Sequence, residues 1–185
     1  DNVDLRLTGE LGIPVANVGG VNAQGVSEIT ITLMLAVYRR LVHLDRAVRQ
    51  GEWLKDAIAG HNIFELAEKT VGIVGLGNIG RMVARRLSGF DVTILGYDVT
   101  QPSPEEKKLG IGRTYLDQLL RESDIVTLHI PLLPSTQGLI GERELSLMKS
   151  TAILINTSRG PVVDEDALAK ALQQSRIGGA GLDVF

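Results

Sequence analysis

From residue 70 onward, short apolar segments of the sequence alternate strictly with amphipathic ones. Residues 70–76 (TVGIVGL) have the β-branched, apolar composition of a buried strand, and residues 78–90 (NIGRMVARRLSGF) have the spacing of an amphipathic helix. Apolar strands separated by helices form βαβ units, so the pattern predicts an α/β fold with a doubly wound parallel sheet and helices on both faces. Further strands are expected at 91–98, 124–130, 151–157 and 177–185, further helices at 115–123, 142–149 and 164–175 (capped by Asp164), and a Pro-broken turn at 101–110.

The residues before this alternation are organised differently. A short strand is expected at 12–18 (GIPVANV), after a charged turn. Asn22 is a candidate N-cap for a helix over 23–40, which continues or restarts toward Gly51, and residues 51–70 are expected to form an irregular connection. The chain is thus predicted to be one domain, 1–185, in three parts: an opening strand and turn at 1–21, a long helical segment at 22–51 and a βαβ core at 70–185.

Composition excludes several classes of function. The chain has no cysteine, which excludes disulfides and thiolate metal sites, and no metal site is predicted. Its formal charge of −3 argues against a nucleic-acid surface. The most apolar run, 29–37, is too short to span a bilayer, and the first residues are too charged for a signal peptide. A soluble, cytoplasmic protein without membrane contact is expected.

The stretch GLGNIG at 75–80 matches the pattern G-x-G-x-x-G. It directly follows a predicted strand and opens a predicted helix, which is the context that a dinucleotide-binding turn requires. Gly75 would permit the tight turn, Gly77 would let a pyrophosphate approach the backbone, and Gly80 would let helix and strand pack closely. A glycine-rich turn without a ligand is the alternative. The motif favours a Rossmann-type fold that binds a dinucleotide at the N-terminus of the helix.

Asp98 ends the next predicted strand, eighteen positions after Gly80. This spacing is close to that of the acidic residue that accepts hydrogen bonds from the adenosine ribose in dinucleotide-binding folds. A carboxylate at that point would repel a 2′-phosphate, so NAD is favoured over NADP. The alternative is a solvated aspartate at a strand end.

Arg159 stands just after the apolar strand within ILINTSRG, residues 153–160. Ligands of doubly wound sheets bind at the carboxyl ends of the strands, so this guanidinium belongs to the same edge as the glycine-rich turn. There it would bind a substrate carboxylate through two hydrogen bonds. A surface arginine after a strand is the alternative.

Several motifs in fixed order resemble the D-isomer-specific 2-hydroxyacid dehydrogenase family. The resemblance covers nearly the whole chain and implies an NAD-dependent oxidoreductase that transfers hydride between NAD(H) and a small 2-hydroxy or 2-oxo acid. One departure from the family pattern is Gly19, which stands where a proline is expected. The motifs that carry the resemblance are GLGNIGRMVARRL, GYD, HIPLLPST, NTSRGPVVDEDAL and GGAGLDVF.

The resemblance also implies roles for individual residues. Arg159 matches the substrate-binding arginine of the family. The implied cofactor contacts are Gly75, Gly77, Asn78, Ile79 and Gly80 at the pyrophosphate, Asp98 at the ribose, Ile130, Pro131 and Thr136 along the adenosine and central part of the pocket, and Thr157, Ser158 and Asp183 at the nicotinamide half.

A catalytic acid is not evident among the three histidines. His43 and His61 are expected at the surface, and the resemblance assigns His129 to the cofactor pocket. The resemblance places the family's catalytic glutamate and histidine beyond residue 185, so the chain is interpreted as the cofactor domain of a longer enzyme, without its substrate domain. An alternative is a non-enzymatic NAD(H)-sensing module, like the co-repressors that resemble this family.

The helix predicted over 23–40 carries apolar side chains around most of its circumference, between Ile29 and Val37. A surface helix would show a single apolar stripe. Burial in one core would explain this pattern, but the resemblance also implies a homodimer. We therefore expect the helix to contribute to a homodimer interface.

Overall fold

In a computed structural model of the chain, which describes residues 3–16, 18–54 and 65–185, six strands form one parallel sheet. The strand order is β3-β2-β1-β4-β5-β6, with each neighbouring pair parallel. This is the strand order of the dinucleotide-binding doubly wound fold, so the predicted fold class is confirmed. The strands are β1 Thr70–Val74, β2 Thr93–Tyr97, β3 Gly112–Arg113, β4 Ile125–Leu128, β5 Ile153–Asn156 and β6 Gly179–Leu182.

Helices cover both faces of this sheet. Asp164 caps the last helix as predicted, since its Oδ1 accepts a hydrogen bond from the Ala167 N–H at 3.0 Å. The helices of the described residues are α1 Leu5–Glu10, α2 Ala23–Tyr38, α3 Leu41–Arg49, α4 Asn78–Leu87, α5 Pro104–Lys108, α6 Leu116–Glu122, α7 Glu142–Leu147 and α8 Glu165–Gln173, with a 3₁₀ turn at Gly160–Val162.

The central strands are buried on both faces, and successive side chains enter two different cores. In β5, Leu154 packs in the core beneath α6, α7 and α8, whereas Ile153 and Ile155 pack in the core beneath α2 and α4. Strand side chains alternate between faces, so a run of apolar residues can fill both cores at once. This explains why the strands have apolar sequences without polar alternation.

The helical segment predicted at 22–51 is divided in two. Arg40 adopts a left-handed backbone conformation, with φ of 51°, which ends α2 and lets α3 restart at Leu41. Asn22 occupies the N-cap position of α2, but its side chain makes no capping hydrogen bond, so the predicted side-chain cap is wrong. Its backbone carbonyl, instead, accepts from the Val26 N–H.

The predictions for residues 12–18 and for the charged turn before them are wrong. In the described part of 12–18 there is no strand, and Ile13, Val15 and Val18 are exposed. The charged segment before it forms α1, because Asp4 accepts hydrogen bonds from the N–H groups of Arg6 and Leu7.

The segment predicted as a Pro-broken turn at 101–110 contains α5. Pro104 occupies the first helical turn, where a missing N–H costs nothing, and Glu106 Oε1 accepts from the Ser103 N–H at 3.2 Å. The two-residue strand β3 that follows was not predicted. Among the described residues, no helix is long and apolar enough to cross a membrane.

Candidate cofactor-binding site

The glycine-rich turn connects the carboxyl end of β1 to α4 and contacts the ends of both neighbouring strands. The Gly75 N–H donates to the Tyr97 carbonyl at the end of β2, at 2.8 Å. On the other side, Gly75 lies against the backbone of His129 and the side chain of Ile130, just after β4. The turn is therefore fixed at the centre of the sheet edge where doubly wound folds bind ligands.

The three motif glycines meet different surroundings. Gly75 has a φ of +96°, and a Cβ there would lie 2.5 Å from the His129 carbonyl oxygen. A Cβ on Gly80 would overlap the Gly75 carbonyl, but one on Gly77 would meet no atom within 4 Å. Packing thus requires two of the glycines, as predicted, while Gly77 faces open space at the N-terminus of α4. No side chain caps that helix end, and the geometry fits a pyrophosphate held by the first-turn N–H groups.

Arg81 braces this turn from the first turn of α4. Its Nη1 donates to the Leu76 carbonyl at 2.7 Å and its Nη2 to Asn78 Oδ1 at 3.2 Å, while its Nε lies 3.1 Å from Glu105 Oε2. This arginine was not among the predicted site residues. Its three-residue spacing from Asn78 on one helix was the available signal.

Asp98 lies just after β2 and faces the glycine-rich turn. Its Oδ2 accepts a hydrogen bond from the Leu76 N–H at 2.6 Å, and its Oδ1 accepts from the N–H and the hydroxyl of Thr100, both at 2.8 Å. Burial alone would raise the pKa of Asp98, but these hydrogen bonds and the positive charge of Arg113 lower it below its ordinary value. The side chain is an anion at neutral pH, with Oδ2 retaining acceptor capacity.

An ion pair between the buried Glu106 and the partly exposed Arg113 lies next to Asp98. Glu106 is 3% exposed and receives two hydrogen bonds from Arg113, from Nε at 2.7 Å and from Nη2 at 3.0 Å. Arg113 Nη1 also donates to the carbonyls of Asp98 and Thr100, at 3.0 and 2.8 Å. Sequence analysis missed this pair, because one partner lies in a segment predicted as a turn and the other in a two-residue strand.

The loop after β4 is closed by a threonine hydroxyl. Thr136 Oγ1 donates to the Pro131 carbonyl at 2.7 Å and accepts from the Leu133 N–H at 2.8 Å. Ile130 contacts Gly75, so the residue predicted to line the central part of the pocket lies directly beside the glycine-rich turn.

At the end of β5, Asn156 organises the turn that carries Thr157, Ser158 and Arg159. Its Oδ1 accepts from the N–H and the hydroxyl of Ser158, at 3.0 and 2.8 Å, and its Nδ2 donates to the Arg159 carbonyl at 2.9 Å. Arg159 is exposed, with Nη1 donating to the Ser158 carbonyl at 2.7 Å. Asn156 also accepts from the Asp183 N–H, which places Asp183 beside this turn with its side chain exposed.

The two described histidines lie in different surroundings. His43 is exposed on α3, as expected, and His61 lies outside the described residues. The Nε2 of His129 lies 3.0 Å from the Thr127 hydroxyl, and its Nδ1 lies 3.4 Å from that of Thr157. Burial lowers the pKa of His129 to about 3, so the imidazole is neutral at neutral pH.

Comparison with known proteins agrees with this geometry. The family model for the NAD-binding domain of D-isomer specific 2-hydroxyacid dehydrogenases matches residues 31–185. The chain belongs to this family. The matching domain binds NAD, so NAD is the cofactor, as predicted.

The matched relatives are longer than this chain. Over 189 aligned residues it is 46% identical to a glyoxylate reductase of Thermococcus litoralis, covering 100% of this chain and 57% of that protein. A Granulicella formate dehydrogenase superposes with a TM-score of 0.94 at 29% identity, over 100% of this chain and 50% of its own. An Aquifex aeolicus D-lactate dehydrogenase, solved with NAD and lactic acid, superposes with a TM-score of 0.91 at 37% identity, over 100% and 55%. The chain thus spans little more than half the length of these relatives.

Proposed function

We propose that the whole protein is an NAD-dependent oxidoreductase of small 2-hydroxy and 2-oxo acids, for which residues 1–185 supply the single cofactor domain. The relatives named as glyoxylate reductase support this class of substrate. The observation that carries the proposal is the placement of Arg159. Its turn is fixed by Asn156 at the end of β5, on the sheet edge that also carries the glycine-rich turn.

In this proposal the edge binds NAD along its length. The open space at Gly77 and the first-turn N–H groups of Asn78 and Ile79 would receive the pyrophosphate, and Asp98 Oδ2 would accept from a ribose hydroxyl. The other proposed contacts are Gly75 and Gly80 at the turn, Ile130, Pro131 and Thr136 along the central part, and Thr157, Ser158 and Asp183 at the nicotinamide half.

Arg159 would act on the substrate. A guanidinium can bind a carboxylate through two parallel hydrogen bonds, which would hold the neighbouring carbonyl carbon in place and stabilise negative charge developing on its oxygen. When bound, NADH supplies the hydride. The proton donor and its orienting carboxylate would come from residues of the whole protein beyond residue 185.

A homodimer is also part of the proposal. Ile29, Ile31, Leu33, Leu35, Ala36 and Val37 on α2 are only partly buried, although Met34 is fully buried. Beside them, a groove of about 710 Å³ runs between α2, the start of α3 and the edge strand β6. A second copy would cover this apolar surface. A cytoplasmic location is proposed for the same protein.

The test is to measure NADH oxidation by the full-length protein with glyoxylate, pyruvate and hydroxypyruvate. Turnover of at least one of these 2-oxo acids is expected, with the D-isomer as product wherever the product is chiral. NADH binding without turnover of any 2-oxo acid would contradict the proposal and favour the NAD(H)-sensing alternative.

A further inference from the structure

A chain of side-chain contacts runs from β4 through the end of β5 into α2. The Thr127 hydroxyl lies 3.0 Å from His129 Nε2, and Nδ1 of the same ring lies 3.4 Å from the Thr157 hydroxyl. Thr157 Oγ1 in turn lies 3.0 Å from Thr30 Oγ1, in a contact that joins residues 127 positions apart. Thr30 ends the chain by donating to the Val26 carbonyl at 2.7 Å.

The direction of each hydrogen bond follows from the number of protons available. A hydroxyl has one proton, and Thr30 gives its proton to the Val26 carbonyl, which can only accept. The proton between Thr30 and Thr157 must therefore come from Thr157. Since Thr157 then donates its only proton to Thr30, a hydrogen bond between Thr157 and His129 requires a proton on Nδ1.

The other histidine tautomer leaves one contact without a proton. If Nε2 carried the proton, Nδ1 would be an acceptor, and Thr157 could give its single proton to Nδ1 or to Thr30 but not to both. One of these two contacts, at 3.4 Å or at 3.0 Å, would then have no hydrogen in it. A buried pair of this kind is costly, so the Nδ1–H form is the one that satisfies every contact. Burial also lowers the pKa of His129, so the neutral imidazole has a single ring proton for these contacts.

We propose that Thr30 and His129 direct the single proton of the Thr157 hydroxyl into the protein, so that Thr157 presents only a lone pair to the cofactor. His129 is a positioning residue in this arrangement, held as the Nδ1–H tautomer. Thr157 would then select a donor, an N–H or O–H group on the nicotinamide half of NAD. That half has two kinds of donor, the carboxamide N–H groups and the ribose hydroxyls. This inference rests on the proposed placement of the nicotinamide half at Thr157.

The first measurement needs no cofactor. Imidazole nitrogen shifts in two-bond ¹H–¹⁵N spectra distinguish the tautomers, and the variant His129→Asn assigns the signal among the three histidines. The expected result for the 185-residue chain is an Nδ1–H imidazole that does not titrate between pH 5 and 8. An Nε2–H signal, or titration near the ordinary histidine pKa, would overturn the proposal.

The second measurement uses variants of α2. Thr30→Val removes the proton acceptor of Thr157 without changing shape, and NADH affinity should fall about fivefold, the effect of one net hydrogen bond. Thr32→Val is the matched control, because the exposed Thr32 makes the same hydroxyl bond to the carbonyl four residues earlier, to Glu28 at 2.9 Å, and touches no part of the chain of contacts. Unchanged affinity in Thr30→Val would also overturn the proposal.

An NAD analogue whose carboxamide is replaced by an acetyl group distinguishes the carboxamide from the ribose hydroxyls as the donor to Thr157. If the Thr30→Val penalty disappears with this analogue, the donor is the carboxamide; if it persists, the donor is a ribose hydroxyl. Both results support an acceptor role for Thr157. Failure of the wild-type chain to bind NADH would refute the proposed cofactor site, and the tautomer measurement would still decide the role of His129.

Discussion

The Leu76 backbone N–H donates to Asp98 Oδ2 at 2.6 Å, which joins the glycine-rich turn to the end of the neighbouring strand. The turn proposed to bind the pyrophosphate and the carboxylate proposed to bind the ribose are therefore fixed to each other. Because Thr100 occupies Oδ1 with two hydrogen bonds, the remaining acceptor capacity of Asp98 lies mainly on Oδ2. A bound ribose would meet an anion already oriented toward the turn.

Asp98→Ser tests the choice of cofactor. The wild-type chain should bind NADH more tightly than NADPH, by about tenfold or more, because the Asp98 anion repels a 2′-phosphate. The serine variant should narrow that difference. Titration of tryptophan or NADH fluorescence measures both affinities, with Asp45→Ser on the exposed helix α3 as the control. Equal wild-type affinities for the two cofactors would contradict the assignment of Asp98.

Gly77→Ala and Gly80→Ala test whether each glycine is needed for NADH binding or for packing of the fold. Gly77 has a φ of −68° and open space at its Cβ position, so alanine should preserve or slightly raise stability and weaken NADH binding about tenfold or more. Alanine at Gly80 would overlap the Gly75 carbonyl and should lower the free energy of unfolding by about 1–3 kcal/mol. Thermal unfolding and NADH titration of both variants check this. Normal NADH binding by Gly77→Ala would contradict the placement of the pyrophosphate at Gly77.

Glu106→Gln tests the Glu106–Arg113 ion pair next to Asp98. Loss of the anion removes the carboxylate that accepts two hydrogen bonds from Arg113, and the free energy of unfolding should fall by about 2 kcal/mol. Glu105→Gln is the control, since Glu105 pairs with Arg81 and Arg85 nearer the surface and should change stability by about 1 kcal/mol or less. Urea unfolding of the two variants measures the difference. Equal losses would show that burial of Glu106 has no special energetic effect.

The same pair predicts a pH dependence. The hydrogen bonds from Arg113 are the main cause that lowers the pKa of Glu106 below its ordinary value of 4.5. A carboxyl with a lowered folded-state pKa stabilises the fold above its unfolded pKa, and this contribution is lost as the pH falls through the folded value. Wild-type stability should thus decline below about pH 4.5, with a shallower slope in Glu106→Gln. Parallel slopes in urea unfolding at several pH values would contradict this.

The sequence predicted the features that depend on local pattern. Strands such as β5 are short apolar runs, and the glycine-rich turn carries its own spacing, so both were found at nearly their observed positions. The missed features depend on tertiary structure. Arg113 lies in the two-residue strand β3, which is too short to have a pattern of its own, and Thr30 meets Thr157 across 127 positions. The strand predicted at 12–18 failed because apolar composition alone cannot supply a neighbouring strand.

Ala36→Glu tests the proposed homodimer. Ala36 is partly exposed on α2 and lines the groove beside β6, where a carboxylate would be desolvated in a dimer. Sedimentation at micromolar concentration should show a wild-type dimer and an Ala36→Glu monomer. The variant should keep the wild-type circular dichroism spectrum, and its unfolding temperature should fall because the dimer no longer stabilises the fold. Gln173→Glu, exposed at the end of α8, should stay dimeric. A wild-type monomer would refute the interface.

Arg159→Lys tests the proposed substrate site in the full-length protein. Lysine keeps the charge but loses the planar fork that binds a carboxylate through two hydrogen bonds, so kcat/KM for the 2-oxo acid should fall about a hundredfold or more. NADH affinity should be unchanged, because Arg159 is proposed to touch substrate and not cofactor. Arg176→Lys is the control, an exposed arginine before β6.

The 185-residue chain gives a second test of the same assignment. It should bind NADH and yet not reduce glyoxylate, pyruvate or hydroxypyruvate appreciably, because the only described histidine at this edge, His129, has its pKa lowered to about 3 and cannot supply a proton near neutral pH. Stopped-flow or steady-state NADH absorbance measures both properties. Robust turnover by this chain would show that the catalytic acid lies within it, and full activity of Arg159→Lys would return Arg159 to the role of a surface arginine after a strand.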